Sequence, residues 1–112
     1  MRSKLFLLLA ALMIYGQAAA DFKTIAKAYE VPLTELGLPV SLSGSLSFRE
    51  CDTCERFTVR IDANTRFLVN QEATTLDDFR QRVRGLSNAA ERPVTVLHDL
   101  KSNTVIEVHI LL

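Results

Sequence analysis

Cys51 and Cys54 are the two cysteines of this 112-residue chain, and they stand at Cys-x-x-Cys spacing between Arg49-Glu50 and Glu55-Arg56. That spacing allows a local disulfide, a redox-active pair, part of a metal site, or pairing with another chain. Redox work needs a thiol of lowered pKa, and cationic Arg49 and Arg56 on either side would favour the thiolate. Yet redox Cys-x-x-Cys pairs place the first cysteine at the N-terminus of a helix that follows a strand, whereas this pair separates two stretches of strand-like alternation. A structural zinc site takes four protein ligands; the pair supplies two, and of the histidines His98 and His109 only His98 is a reasonable third. The metal reading therefore rests on Cys51, Cys54 and His98. The staple reading asks least: Asp52-Thr53 is a poor choice for a tight hairpin turn, which prefers Asn-Gly or Asp-Gly, so a bridge would hold that tip. Closing so short a loop contributes on the order of 2 kcal/mol or less. A structural disulfide is expected, with no cofactor.

The elements around the pair follow from alternation. Val40, Leu42, Leu46 and Phe48 alternate with Ser41, Ser43, Ser45, Ser47 and Arg49, the pattern of a strand with one dry face. Phe57, Val59 and Ile61 alternate with Arg56, Thr58 and Arg60 in the next. A hairpin closed at Asp52-Thr53 pairs Phe48 with Phe57, Leu46 with Val59 and Gly44 with Ile61, and a slip of one residue would put the apolar set on the wrong face. In this register Arg49 and Arg56 oppose each other beside the thiols, which needs Glu50, Asp52 and Glu55, or a bound anion, to compensate. A third strand over residues 66–69 is expected to fold back after the turn 63–65, pairing Ile61 with Phe67 and Val59 with Val69. Residues 74–86 read as a helix: Thr75 can cap it, Asp77 and Asp78 occupy the first turn, Leu76, Phe79, Val83 and Leu86 form one stripe, and Gly85 stops it. Strands over 94–98 and 105–112 follow, with Asp99 opposite Thr104, His98 opposite Val105 and His109 opposite Val94. In residues 21–39, Phe22, Ile25, Ala26 and Tyr29 lie at helical spacing before Pro32, Gly37 and Pro39, so a short helix and a linker are expected there.

The expected fold is α+β and mainly β: five strands with one helix between strands 3 and 4, forming a small barrel or an open sheet, as one domain over residues 40–112. This order resembles the OB-fold. Residues 57–110 also resemble periplasmic domains of the TolR and ExbD type, through Val69-Asn70-Gln71-Glu72 before the helix and Asp99 after a valine-rich strand. The OB resemblance implies that ligands approach the outer face of the second and third strands, bearing Arg56, Thr58, Arg60, Arg66 and Leu68, together with the loops 51–54 and 99–104. With Arg49, these arginines are the candidate binding residues.

The first twenty residues carry Arg2 and Lys4, an apolar run from Leu5 to Ile14, and Ala18-Ala19-Ala20. This is the layout of a secretory signal peptide, cleaved after Ala20. The apolar run is too short for a spanning helix of about 20 residues, so the mature chain is expected to be periplasmic or secreted and not integral to a membrane. Removing two of the 13 basic residues, Arg2 and Lys4, leaves 11 against 13 acidic ones, a formal charge of −2. That balance argues against a general polyanion binder, and the outward positions lack the aromatic platforms that single-stranded nucleic acid uses. There is no nucleophile motif and no glycine-rich phosphate loop. The sequence therefore points to a small exported, non-catalytic binding module for an anionic glycan, a lipid headgroup or an acidic protein segment. A thiol redox or metal-handling protein using Cys51 and Cys54 is one alternative. A structural subunit of an envelope assembly, with Leu68, Leu111 and residues 21–39 as its apolar surface, is another.

Overall fold

Tyr29, Val31 and Leu33 are buried while Ala28, Glu30 and Thr34 between and beyond them are exposed, so the dry positions of this segment recur every second residue and demand a strand. In the computed structural model, which describes residues 25–112, Ala26–Pro32 is strand β1. The helix expected within residues 21–39 is thereby corrected for its described part; residues 21–24 and the expected leader lie outside the described residues. A 3-10 turn at Leu33–Glu35 leads into β2, Leu36–Gly37. Beyond it come β3 Ser45–Phe48, β4 Phe57–Arg60, β5 Arg66–Val69, β6 Glu72–Thr74, helix α1 Leu76–Val83, a 3-10 turn Ala89–Glu91, β7 Pro93–Asp99 and β8 Thr104–Ile110.

Among the described residues the architecture is mainly β with one helix, and the sheet has eight strands rather than the expected five. The three extra strands are short or lie where Pro and Gly obscure the alternation. The sheet is open. Its main path runs β1-β7-β8-β4-β3-β2, and β5 pairs with both β6 and β8. β1 pairs with β7 at one edge while its continuation β2 pairs with β3 at the other, so residues 26–37 serve both edges of the sheet. They are part of the domain, not a linker to it.

The β3–β4 register is the expected one, with Phe48 opposite Phe57 and Leu46 opposite Val59, and the Ile61 N–H donates to the Gly44 carbonyl at 3.2 Å. Gly44 has to be small: a Cβ there would lie 2.6 Å from Cβ of Pro39. Val40 and Leu42, read as the start of β3, instead lie exposed in the loop before it.

The expected β4–β5 hairpin is not formed. Both strands run parallel to β8, β4 meeting it at Arg60 and Thr104, and β5 pairing Arg66 with Glu107 through Val69 with Ile110. The turn between them is a pinned jog. Buried Thr65 donates its hydroxyl to the Val105 carbonyl at 2.7 Å and accepts the Asp62 N–H at 3.0 Å. β5 folds back with β6 instead, through Asn70 and Gln71, both at positive φ. β7 and β8 pair as expected at Asp99–Thr104 and His98–Val105. Beyond these the register shifts between Leu97 and His98, so His109 faces Thr95, not Val94. A bulge inserts an unpaired residue and re-aims the side chains on its far side; here it lets Val105 as well as Val108 and Ile110 face the core.

Helix α1 starts as the sequence indicates, with the Thr75 hydroxyl accepting the Asp78 N–H at 3.1 Å, and Gly85 adopts φ +86° just beyond it. Leu76 and Phe79 are buried, with the Phe79 ring 5.5 Å from that of Phe67, so the helix covers the inner face of the sheet. No helix among the described residues is long and apolar enough to cross a membrane.

Candidate functional site

The β3–β4 ladder ends at Phe48 and Phe57, and residues 49–56 form the tip. Cys51 and Cys54 are joined as a disulfide, and the Cys54 N–H donates to the Cys51 carbonyl at 3.2 Å, so bridge and turn close the same four residues. Arg49 and Arg56 flank this tip, and the carboxylate that relieves their repulsion comes from elsewhere in the chain. It is Glu35, on the 3-10 turn between β1 and β2. Arg49 donates its Nε–H to Glu35 Oε2, Arg56 reaches the same oxygen at 3.4 Å, and Arg56 also donates to Ser47 Oγ at 2.7 Å. Glu50, Asp52 and Glu55, expected to balance the arginines, form no ion pair among the described residues. The Arg49 hydrogen bond, helped by the charges of Arg49 and Arg56 and opposed by desolvation, holds the Glu35 carboxyl below the usual range. The sequence signal for Glu35 was the need itself: two arginines facing each other across a hairpin require a carboxylate, and the segment leading to β3 carries one.

The remaining candidates lie on the outer face of the sheet. Arg60 is exposed, with Ser45 and Thr104 beside it in register, and it has no ion-pair or side-chain hydrogen-bond partner among the described residues. Arg66 sits further along the same side of β8, 3.8 Å from Glu107 Oε1. The two positions are three residues apart along β8, at Thr104 and Glu107, about 10 Å at strand rise. The structure therefore divides the expected arginine stripe: Arg49 and Arg56 are turned to Glu35, Arg66 is exposed beside Glu107, and Arg60 is turned to solvent. Leu68, expected on this exposed face, is only 8% exposed, between Ala73 of β6 and His109 of β8. Leu111 is exposed at 61%.

His98 does not approach the cysteines as a ligand would. Its Nε2 lies 2.8 Å from Asn103 Oδ1, and among the described residues no group of three or more His, Cys, Asp and Glu is placed to hold a metal ion. The base of the tip and the β7–β8 end do share a neighbour, since the Tyr29 ring lies 5.5 Å from that of Phe57 and 6.4 Å from that of His98. The loop after β7 is shaped by Asp99, whose carboxyl is held low chiefly by the Lys101 N–H, and also by Ser102. Comparison with protein-family models, curated proteins and solved structures finds no match to the chain.

Proposed function

We propose that the chain is a small exported binding module without catalytic activity, and that it offers Arg60 and Arg66 on the outer face of its sheet to an anionic group. The observation that carries this reading is Arg60: an exposed guanidinium with no counter-charge among the described residues, flanked in register by the hydroxyl-bearing Ser45 and Thr104. A planar guanidinium with adjacent hydroxyls suits bidentate recognition of carboxylate, sulfate or phosphate. An anionic glycan, a lipid headgroup or an acidic protein segment would supply one. The disulfide suits an oxidising compartment, and the resemblance to the OB-fold, whose ligands approach this same face, points the same way.

The test replaces Arg60 and Arg66 together with serine. Both side chains are exposed, so the fold should survive. Retention of the purified protein on an anionic glycan resin, flotation with vesicles containing anionic lipid, and capture of acidic protein from a periplasmic extract together cover the three ligand sources. Loss of whichever of these the unaltered protein displays is expected, and an undiminished signal overturns the reading.

A further inference from the structure

We propose that the edge of β1 facing away from β7, with the acidic groove at its end, docks an extended lysine- or arginine-bearing segment of a partner protein as an added strand. This surface is separate from the Arg60–Arg66 face and does not depend on it.

The backbone fixes which groups are available. The Leu33 N–H donates to the Arg92 carbonyl at 3.0 Å, and the Leu100 N–H donates to the Ile25 carbonyl at 2.7 Å. Both bonds lie in the register that pairs Ala26 with Asp99 and Pro32 with Pro93. In an antiparallel ladder the residues that exchange bonds with one neighbour alternate with those whose N–H and C=O point the other way. The odd-numbered residues from 25 to 33 therefore bond towards β7, and Ala26, Ala28 and Glu30 direct their N–H and C=O groups away from it. Among the described residues β1 has no other strand partner. The usual guards of an edge are lysines and prolines set along it. Here Lys27 lies back with its Nζ 4.8 Å from the Tyr29 ring centroid, and Pro32 stands at the far end. Ala26 is half-buried and Ala28 exposed, so neither sets a bulky side chain along the edge.

Charge selects the occupant. A groove of about 280 Å³ opens at the Pro32 end of the strand, with Val31, Pro32 and Pro93 as apolar lining and Glu30, Glu50 and Glu91 around it. Among the described residues no lysine or arginine lines it. Glu30 accepts one hydrogen bond, from the Thr95 hydroxyl at 2.8 Å, while Glu50 and Glu91 have no ion-pair partner among the described residues. Strand addition draws affinity from main-chain hydrogen bonds and specificity from alternate side chains. An incoming strand bearing basic residues at alternate positions would meet the three glutamates while its backbone pairs with Ala26, Ala28 and Glu30.

The experiment uses the whole oxidised protein, labelled with ¹⁵N and titrated with Ac-Thr-Lys-Val-Lys-Val-Lys-NH₂ and, separately, with the same peptide carrying Glu for Lys. Saturable shifts at Ala26, Ala28 and Glu30, with slowed amide exchange at Ala28 and Glu30, are expected for the basic peptide alone. Ala28→Pro removes an outward N–H and no β1–β7 bond, a position where an edge strand tolerates proline, and should abolish the response. Glu50→Lys with Glu91→Lys should weaken binding by about tenfold or more, and this pair decides the matter if Ala28→Pro fails to fold. No binding of the basic peptide, an equal response to both peptides, shifts centred on β6 or on Arg60 and Arg66, or undiminished binding by a folded variant would overturn the proposal. Shifts confined to Arg60 and Arg66 with the acidic peptide would do so while leaving the anion-binding reading intact.

Discussion

The ring of Tyr29 lies 5.1 Å from that of Phe48, although Tyr29 belongs to β1 at one edge of the sheet and Phe48 to β3 near the other, and no backbone bond joins the two strands. The sheet curls until side chains, not hydrogen bonds, bridge its edges. Phe48 is fully buried and also touches Phe57. Phe48→Ala should cost about 3–5 kcal/mol, a large share of the stability of so small a domain. A double-mutant cycle of Tyr29→Leu and Phe48→Leu, read by urea unfolding, should return a favourable coupling of about 0.5–1.5 kcal/mol. A coupling near zero would mean the edges do not meet in solution.

Glu35 makes the tip sensitive to acid. Its folded carboxyl titrates below the ordinary value of 4.5, so the folded state favours the ionised form. The resulting stabilisation is complete above that ordinary value and is lost as pH falls through the lower folded one. Thermal unfolding between pH 3 and pH 6 should therefore show a steeper acid loss for the unaltered protein than for Glu35→Gln, with the two curves running parallel above about pH 5. Equal acid slopes would show that Glu35 holds no such bond.

Thr65 ties the jog between β4 and β5 to β8 through a buried hydroxyl. Thr65→Val preserves shape but leaves the Val105 carbonyl and the Asp62 N–H without their partner, which should cost about 1–3 kcal/mol. Amide exchange at Asp62 should accelerate with it. Valine tolerated without loss would mean the parallel arrangement is held by side-chain packing alone.

The parts of this fold legible in the sequence are those where one local pattern suffices. Phe48, Phe57, Leu46 and Val59 admit one register that keeps all four side chains dry, and Thr75, Asp78 and Gly85 mark the helix by their own chemistry. Other parts depend on partners distant in sequence. Tyr29 and Ile25 fit a helical stripe as well as Tyr29 and Val31 fit a strand, and the pairing with β7 decides between them. Arg66 to Val69 is plainly a strand, but only β8 reveals that it runs parallel. The turn at Asn70-Gln71 is hidden because glutamine is an unusual residue at positive φ. At the candidate site the cysteines and arginines were visible, while the distribution of the arginines between Glu35 and solvent was not, because Glu35 belongs to another element.

The disulfide should matter to the tip and little to the whole. Cys51→Ser with Cys54→Ser should lower global stability by about 2 kcal/mol or less, while amide exchange across residues 49–56 accelerates more strongly. The intact mass of protein isolated without reductant should be two hydrogens below that of the reduced form. Free thiols in that sample, or bound zinc or copper, would instead return Cys51 and Cys54 to the centre of the function.

The arrangement of β1 has a kinetic consequence. Its partner β7 lies far along the chain, and β8 must meet β4, β5 and β7 before the sheet is continuous. Few of these pairings can form before long loops have closed, so refolding should belong to the slow range of non-local β topologies, milliseconds to seconds. The local hairpins β3–β4, whose bridge spans only three residues of sequence, β5–β6 and β7–β8 are the parts whose assembly can precede that search.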